Sequence, residues 1–202
     1  MYAPKLLLFV AAAVSASPLG PLVQPWSNST TTNNHHHRLA AREAPKFYSG
    51  PYTSFPGKAT WKDFDTLWAA NVPSMKAKGD HQSDVDRIKT ALQSVGPKYG
   101  IEPRVLLCIM MQESHGDVGA FTTTSKPDNL QTGGLFQCYN CPGFYQQYGL
   151  SQSQITSMVE GGAKHFKGDL DHAVNQNNLS DAPNATPAYV SDISQRLGGW
   201  VD

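Results

Sequence analysis

Charge of either sign is scarce and balanced. In 202 residues, 16 Lys+Arg stand against 16 Asp+Glu, for a formal net charge of zero. That balance argues against a basic nucleic-acid binder, whose affinity rests on neutralising many phosphates. It also argues against an acidic tail or a basic membrane-surface helix. Cysteine is sparse as well, with Cys108, Cys138 and Cys141 the full set. In an oxidising compartment two of the three are expected to pair, leaving one over. Cys138 and Cys141 are near neighbours in sequence, and Cys108 bridging to either of them is the alternative. A zinc or redox role for Cys138-Tyr-Asn-Cys141 lacks partners, since there is no second CxxC and no strand–turn–helix context. Long apolar runs are missing beyond the N-terminus, so no later segment can span a bilayer. Hydrophobic content is only 40%, with 17 Gly and 14 Pro, so part of the chain is expected to lie outside the core.

What is present begins with a targeting signal. Lys5 forms a positive n-region, Leu6 to Val14 an apolar h-region, and Val14-Ser15-Ala16 a small-residue cleavage site. Residues 1–16 therefore read as a signal peptide and the protein as secreted and extracellular. Sequons at Asn28, Asn178 and Asn184 fit that compartment. Residues 17–57 read as a flexible linker or pro-segment, with Pro18, Pro21, Pro25, a Ser/Thr/Asn run and no periodic apolar stripe. His35-His36-His37 within it is taken as incidental.

Residues 58–202 change texture to amphipathic helices. Trp61, Phe64, Leu67 and Trp68 mark one face of a short helix. Asp84 suits a cap for a second, with Val85, Ile88, Leu92 and Val95 in helical register until Gly96-Pro97 stops it. A third begins near Glu102-Pro103, runs through Val105, Leu106, Ile109 and Met110, and ends at Gly116. Further helices are expected over residues 151–166 and 189–197. The best strand signal is Gly134-Leu135-Phe136-Gln137. The fold class is mainly α, with a short β or loop segment.

One residue stands apart. Glu113 follows Val105 and Ile109 at intervals of four, so it continues the buried stripe of its own helix. A carboxylate on an apolar face is destabilised when charged, which raises its pKa toward that of a neutral-pH general acid. The bland alternative is a glutamate at a fraying helix end that reaches solvent.

The stretch Tyr99-Gly-Ile-Glu-Pro-Arg-Val-Leu-Leu-Cys-Ile-Met-Met-Gln-Glu-Ser114, followed by Gly133-Gly-Leu-Phe-Gln137, resembles the lytic transglycosylase SLT domain. That is the lysozyme-like family 23 of glycoside hydrolases, in its secreted fungal branch. Ser191-Asp-Ile-Ser-Gln-Arg-Leu-Gly-Gly-Trp200 looks like that branch's closing helix. The resemblance covers about residue 56 to 202. It implies a lysozyme-like helical domain that cleaves β-1,4 bonds of peptidoglycan, with no cofactor and no metal. Glu113 maps onto the catalytic acid, which protonates the glycosidic oxygen as oxocarbenium character develops. The same carboxylate then serves as base, for the C6 hydroxyl in a transglycosylase or for water in a goose-type lysozyme. Ser114, Gly134, Leu135, Phe136 and Gln137 map onto substrate-binding positions, with Phe136 where the family prefers Met; Ser114 there holds the carboxylate or the substrate, and a helix-end serine bonded to its own backbone is the alternative. Tyr139, Phe144, Tyr145 and Tyr148 are candidates for stacking on sugar faces, one of them expected to touch substrate. Asp117 and Asp128 are near enough in sequence to position a water, and are read instead as loop residues that accept backbone hydrogen bonds.

The chain departs from the family in one respect. A Tyr-Asn-x-Gly element, whose Tyr faces the catalytic Glu, is missing between Gly161 and Tyr189, and Tyr189 is the candidate to fill its place. That gap motivates a rival reading, a secreted glycan-binding protein or effector that kept the fold and lost turnover. Peptidoglycan is the expected polymer for either reading and chitin the alternative. The partner is thus a polysaccharide, with no nucleic acid and no membrane, and the protein is expected to be a monomer.

Overall fold

The computed structural model describes residues 46–124, 131–173 and 188–201. The signal peptide, most of the 17–57 segment, His35 to His37, Asp128 and all three sequons lie outside the described residues. Five helices carry the fold: α1 Phe64–Lys78, α2 Gln82–Lys98, α3 Pro103–Ser114, α4 Gln152–Ala173 and α5 Tyr189–Leu197. A small antiparallel sheet, ordered β1 Thr123–Thr124, β2 Gln131–Gly133 and β3 Cys138–Tyr139, lies between α3 and α4 in the chain. The domain is therefore mainly α. No helix among the described residues is long and apolar enough to cross a membrane.

Local chemistry sets the helix ends, with some shifts from the pattern. Trp61 lies before α1, because Asp63 caps it by accepting from the Thr66 backbone N–H at 2.9 Å. Its far end is closed by Gly79 in the left-handed region, at φ 110°. Helix α2 begins two residues before Asp84, which acts from inside the first turn by accepting from the His81 N–H at 3.2 Å. It continues through Gly96 and Pro97 to Lys98. Proline at that point removes a hydrogen bond only at the fraying end, and the Ile101 N–H returns to the Gly96 carbonyl at 2.9 Å. Pro103 opens α3 as expected. His115, not Gly116, is the first residue past it, in the left-handed region at φ 55°.

Helix α3 is the centre of the molecule. Residues 105–111 are all buried, so α3 has no wet face over that stretch, as a helix packed on several sides must be. It meets α1, α2, α5 and the Gly134–Phe136 turn, while α2 packs along α4. The core joins Leu67, Met75, Ile88, Leu92, Leu106, Met110, Ile155 and Ile193 across these helices.

Three further expectations are revised or resolved. Gly134–Phe136 is a 3-10 turn between β2 and β3, not a strand. Gly134 takes a left-handed φ of 66°, and a Cβ there would run into the Pro142 carbonyl. Residues 46–57, read as the end of a linker, are tied to α5. The Lys46 N–H donates to Gln195 Oε1 at 2.7 Å and the Tyr48 N–H to Ser191 Oγ at 3.0 Å. The disulfide is Cys138–Cys141, leaving Cys108 free and buried.

Candidate active site

Glu113 is the next-to-last residue of α3, where the central helix emerges from the core. Its side chain is half-buried. Burial drives its carboxyl pKa from the usual value to about 7, and a hydrogen bond from Tyr189 opposes the rise without cancelling it. The Tyr189 hydroxyl donates to Glu113 Oε1 at 2.5 Å. Tyr189 is the first residue of α5 and is itself buried. A neutral carboxyl has two unlike oxygens. With Oε1 accepting from tyrosine, the acid proton belongs on Oε2. This arrangement holds a proton at neutral pH and stabilises the carboxylate left when the proton is given up.

A second pair of bonds keeps α5 against α3 beside this contact. Arg196 Nε donates to Gln112 Oε1 at 2.9 Å, and Gln112 Nε2 reaches Asp192 Oδ2 at 3.4 Å. The Arg196 guanidinium also lies 4.7 Å from the Trp200 ring centroid. Sequence reading missed Gln112, Asp192 and Arg196. Gln112 lies 80 positions from Asp192 and 84 from Arg196, and no local spacing announces the pairing.

For Ser114 the expectations were a group that holds the carboxylate or the substrate, or a helix-end serine bonded to its own backbone, and the second is what the structure shows. Ser114 is buried, with its hydroxyl 2.8 Å from the Leu135 carbonyl and 3.3 Å from Met110 O of its own helix. The Gly116 N–H donates back to it at 3.2 Å. Ser114 is therefore a strut that binds the end of α3 to the Gly134–Phe136 turn.

The turn itself also differs from expectation. Leu135 and Phe136 point into the core and are fully or almost fully buried, so their side chains hold the turn in place and do not face substrate. Gly134 is buried beside them. Gln137 has a left-handed backbone (φ 44°), and its amide Nε2 donates to Gly134 O at 2.9 Å and Phe121 O at 3.0 Å. Both amide protons are spent on the backbone, so the Gln137 side chain offers a ligand its acceptor oxygen only.

The aromatic candidates separate by exposure. Phe144 packs on the core, whereas Tyr139, Tyr145 and Tyr148 are exposed. Phe121, not singled out from sequence, is 60% exposed and meets Tyr145 edge-to-face at 5.2 Å between centroids. Asp117 accepts from the Gly119 backbone N–H at 2.8 Å, the loop role expected of it. No group of three or more His, Cys, Asp or Glu able to hold a metal occurs among the described residues.

The fold and site thus define a mainly α domain with a half-buried, proton-retaining glutamate at the end of its central helix. Comparison with protein-family models, curated proteins and solved structures finds no match.

Removing the Tyr189 hydroxyl takes away the bond that favours ionised Glu113, so Y189F should move the Glu113 pKa further up. A carboxyl-carbon NMR titration of the side chain checks the sign, and an unchanged or lower midpoint contradicts it.

Proposed function

We propose that the protein is a secreted, lysozyme-like enzyme that cleaves β-1,4 bonds of peptidoglycan with Glu113 as its single acid/base. The observation that carries this reading is the Glu113–Tyr189 contact at 2.5 Å, on a carboxyl that burial keeps protonated near neutral pH. Protonated Oε2 gives its proton to the glycosidic oxygen as the bond to the anomeric carbon breaks. The carboxylate that remains keeps the tyrosine hydrogen bond. It then accepts a proton from the sugar's C6 hydroxyl, which closes a 1,6-anhydro ring, or from water, which completes hydrolysis. Tyr189 stands where the resemblance calls for a tyrosine facing the acid, although the Tyr-Asn-x-Gly element itself is missing. This supports turnover over the glycan-binding alternative. Exposed Phe121, Tyr139 and Tyr145 offer faces on which sugar rings can stack.

Mass spectrometry of purified peptidoglycan incubated with the protein tests the reading, beside an E113Q control and a parallel chitin digest. Anhydro-sugar ends that vanish in the control establish a transglycosylase, and new reducing ends a lysozyme. If neither appears and the protein still sediments with the polymer, the enzyme reading fails and the binding protein takes its place.

A further inference from the structure

Helix α5 brings Tyr189 to Glu113, yet little in its own sequence fixes its first turn. The helix is nine residues long, and no side chain caps its N-terminus at Ala188. A helix that short is marginal without packing, and an uncapped first turn is its weakest part. Tyr189 is the first residue of that turn.

Ser191, two residues on, is fully buried, so its hydroxyl has to find partners inside the protein. Ser194 of the same helix bonds back to Val190 O at 2.8 Å. Ser191 instead reaches across to the segment that precedes α1. Its Oγ accepts from the Tyr48 N–H at 3.0 Å and donates to the Lys46 carbonyl at 3.3 Å. One hydroxyl, with a donor and acceptor lone pairs, thus satisfies two backbone groups of the strap. Gln195, one turn later, continues the clip. Its Oε1 accepts from the Lys46 N–H at 2.7 Å, and its Nε2 lies 3.5 Å from both Ser191 Oγ and Asp192 Oδ1.

The strap is anchored beyond these bonds as well. The rings of Tyr48 and Phe55 lie 6.1 Å apart, Phe55 and Trp61 pack on the core, and Trp61 Nε1 donates to Pro56 O at 3.2 Å. The Lys62 N–H donates to Leu197 O at 2.8 Å. Residues 46–62 therefore bond to α5 near both of its ends.

We propose that Ser191 is a positioning residue, which clips the 46–48 strap to α5 and so holds the Tyr189 hydroxyl against Glu113. The catalytic consequence rests on the proposed role of Glu113, whereas the strap contact does not. Tyr189 and Ser191 share the first turn of α5, so freeing Ser191 lets that uncapped turn shift and lengthens the 2.5 Å bond from Tyr189. A hydrogen bond weakens steeply once its geometry is lost. Glu113 reports the change, because the Tyr189 bond is what favours its charged form.

The test uses NMR to follow Tyr48 amide exchange and the Glu113 carboxyl carbon in the unmodified protein, S191A, S194A, Y189F and the Y189F/S191A double variant. In S191A the Tyr48 amide should exchange about tenfold faster, the factor for one hydrogen bond of ordinary strength. The Glu113 midpoint should rise, as in Y189F. Adding S191A to Y189F should move it no further, since the tyrosine bond is already gone. S194A also removes a buried hydroxyl from α5, but one that bonds within the helix, and should change neither reading. Q195A, at a half-buried position, is a second variant and should shift both readings in the S191A direction. In turnover S191A should lower kcat several-fold with KM little changed. An unmoved Glu113 midpoint in S191A, an equal shift in S194A or a further shift in the double variant overturns the proposal. Failure of the Glu113 reading shows differently, as no turnover in the unmodified protein, and leaves the exchange and titration measurements intact.

Discussion

Substituting Glu113 by Gln is expected to lower glycan cleavage by roughly a thousandfold while raising stability above neutral pH. The loss follows because glutamine cannot donate the acid proton, although its carbonyl can still accept from the Tyr189 hydroxyl. The gain follows from linkage. The folded carboxyl titrates at about 7 against 4.5 for the ordinary group. Between those values the folded state keeps a proton that the unfolded chain has lost, so stability falls as pH rises through the window. Below it both states are protonated and the penalty is absent. The E113Q protein would carry no such penalty at any pH. Allowing for the partial exposure of Glu113, the difference above pH 7 is about 1–2 kcal/mol in favour of E113Q, shrinking to nothing near pH 4. Thermal melts at pH 4 and 8 check this, with Asp80, whose carboxyl burial also raises to about 7, imposing a parallel slope on both proteins. Equal melting-temperature differences at the two pH values would refute the buried-acid description, and full activity in E113Q would refute the chemistry.

The other large effect concerns α4. Gly162 is buried in that helix, and a methyl group there would run into the ring of Phe136. Helix propensity alone favours Gly→Ala by about 1 kcal/mol. The clash reverses the sign, because Phe136 is locked in the turn between β2 and β3 and cannot swing into open space. G162A is expected to lose about 1–3 kcal/mol, read as a lower urea midpoint at unchanged slope. Gly168 in the same helix meets nothing within 4 Å of an added Cβ. G168A is the internal control and should gain up to about 1 kcal/mol. Two shifts of the same sign would show that packing against Phe136 does not decide the matter. G162A should also reduce turnover, since displacing the turn strains the Leu135–Ser114 bond at the end of the Glu113 helix.

Much of the helical framework is legible in the chain itself. The start of α3 follows from Pro103, whose missing N–H costs nothing in a first turn. The α5 boundaries match the expected 189–197. The expectations that slipped did so where distant contacts outrank local pattern. Gly134 to Gln137 alternates too briefly to reveal that Leu135 and Phe136 are both drawn into the core, which a strand would not allow. The Cys138–Cys141 pairing needed coordinates because spacing left Cys108 in contention.

Glu113 divides the two sources of information most clearly. Its interval of four from Val105 and Ile109 already placed a carboxyl in line with an apolar stripe, leaving a raised pKa or a solvent-reaching helix end as the two outcomes. Tertiary structure decided between them. Three neighbouring helices and a turn surround α3 on every side, so the residues before Glu113 exclude water all round. Tyr189, 76 positions away, arrives with a hydroxyl. Ser114 and Asp80 acquired their places in the same way, the first as a strut to Leu135 and the second as the acceptor of the Val118 N–H. Hydrophobic periodicity reports which side of a helix avoids water. Which polar group meets which depends on how segments remote in sequence pack together, and local spacing carries no record of that.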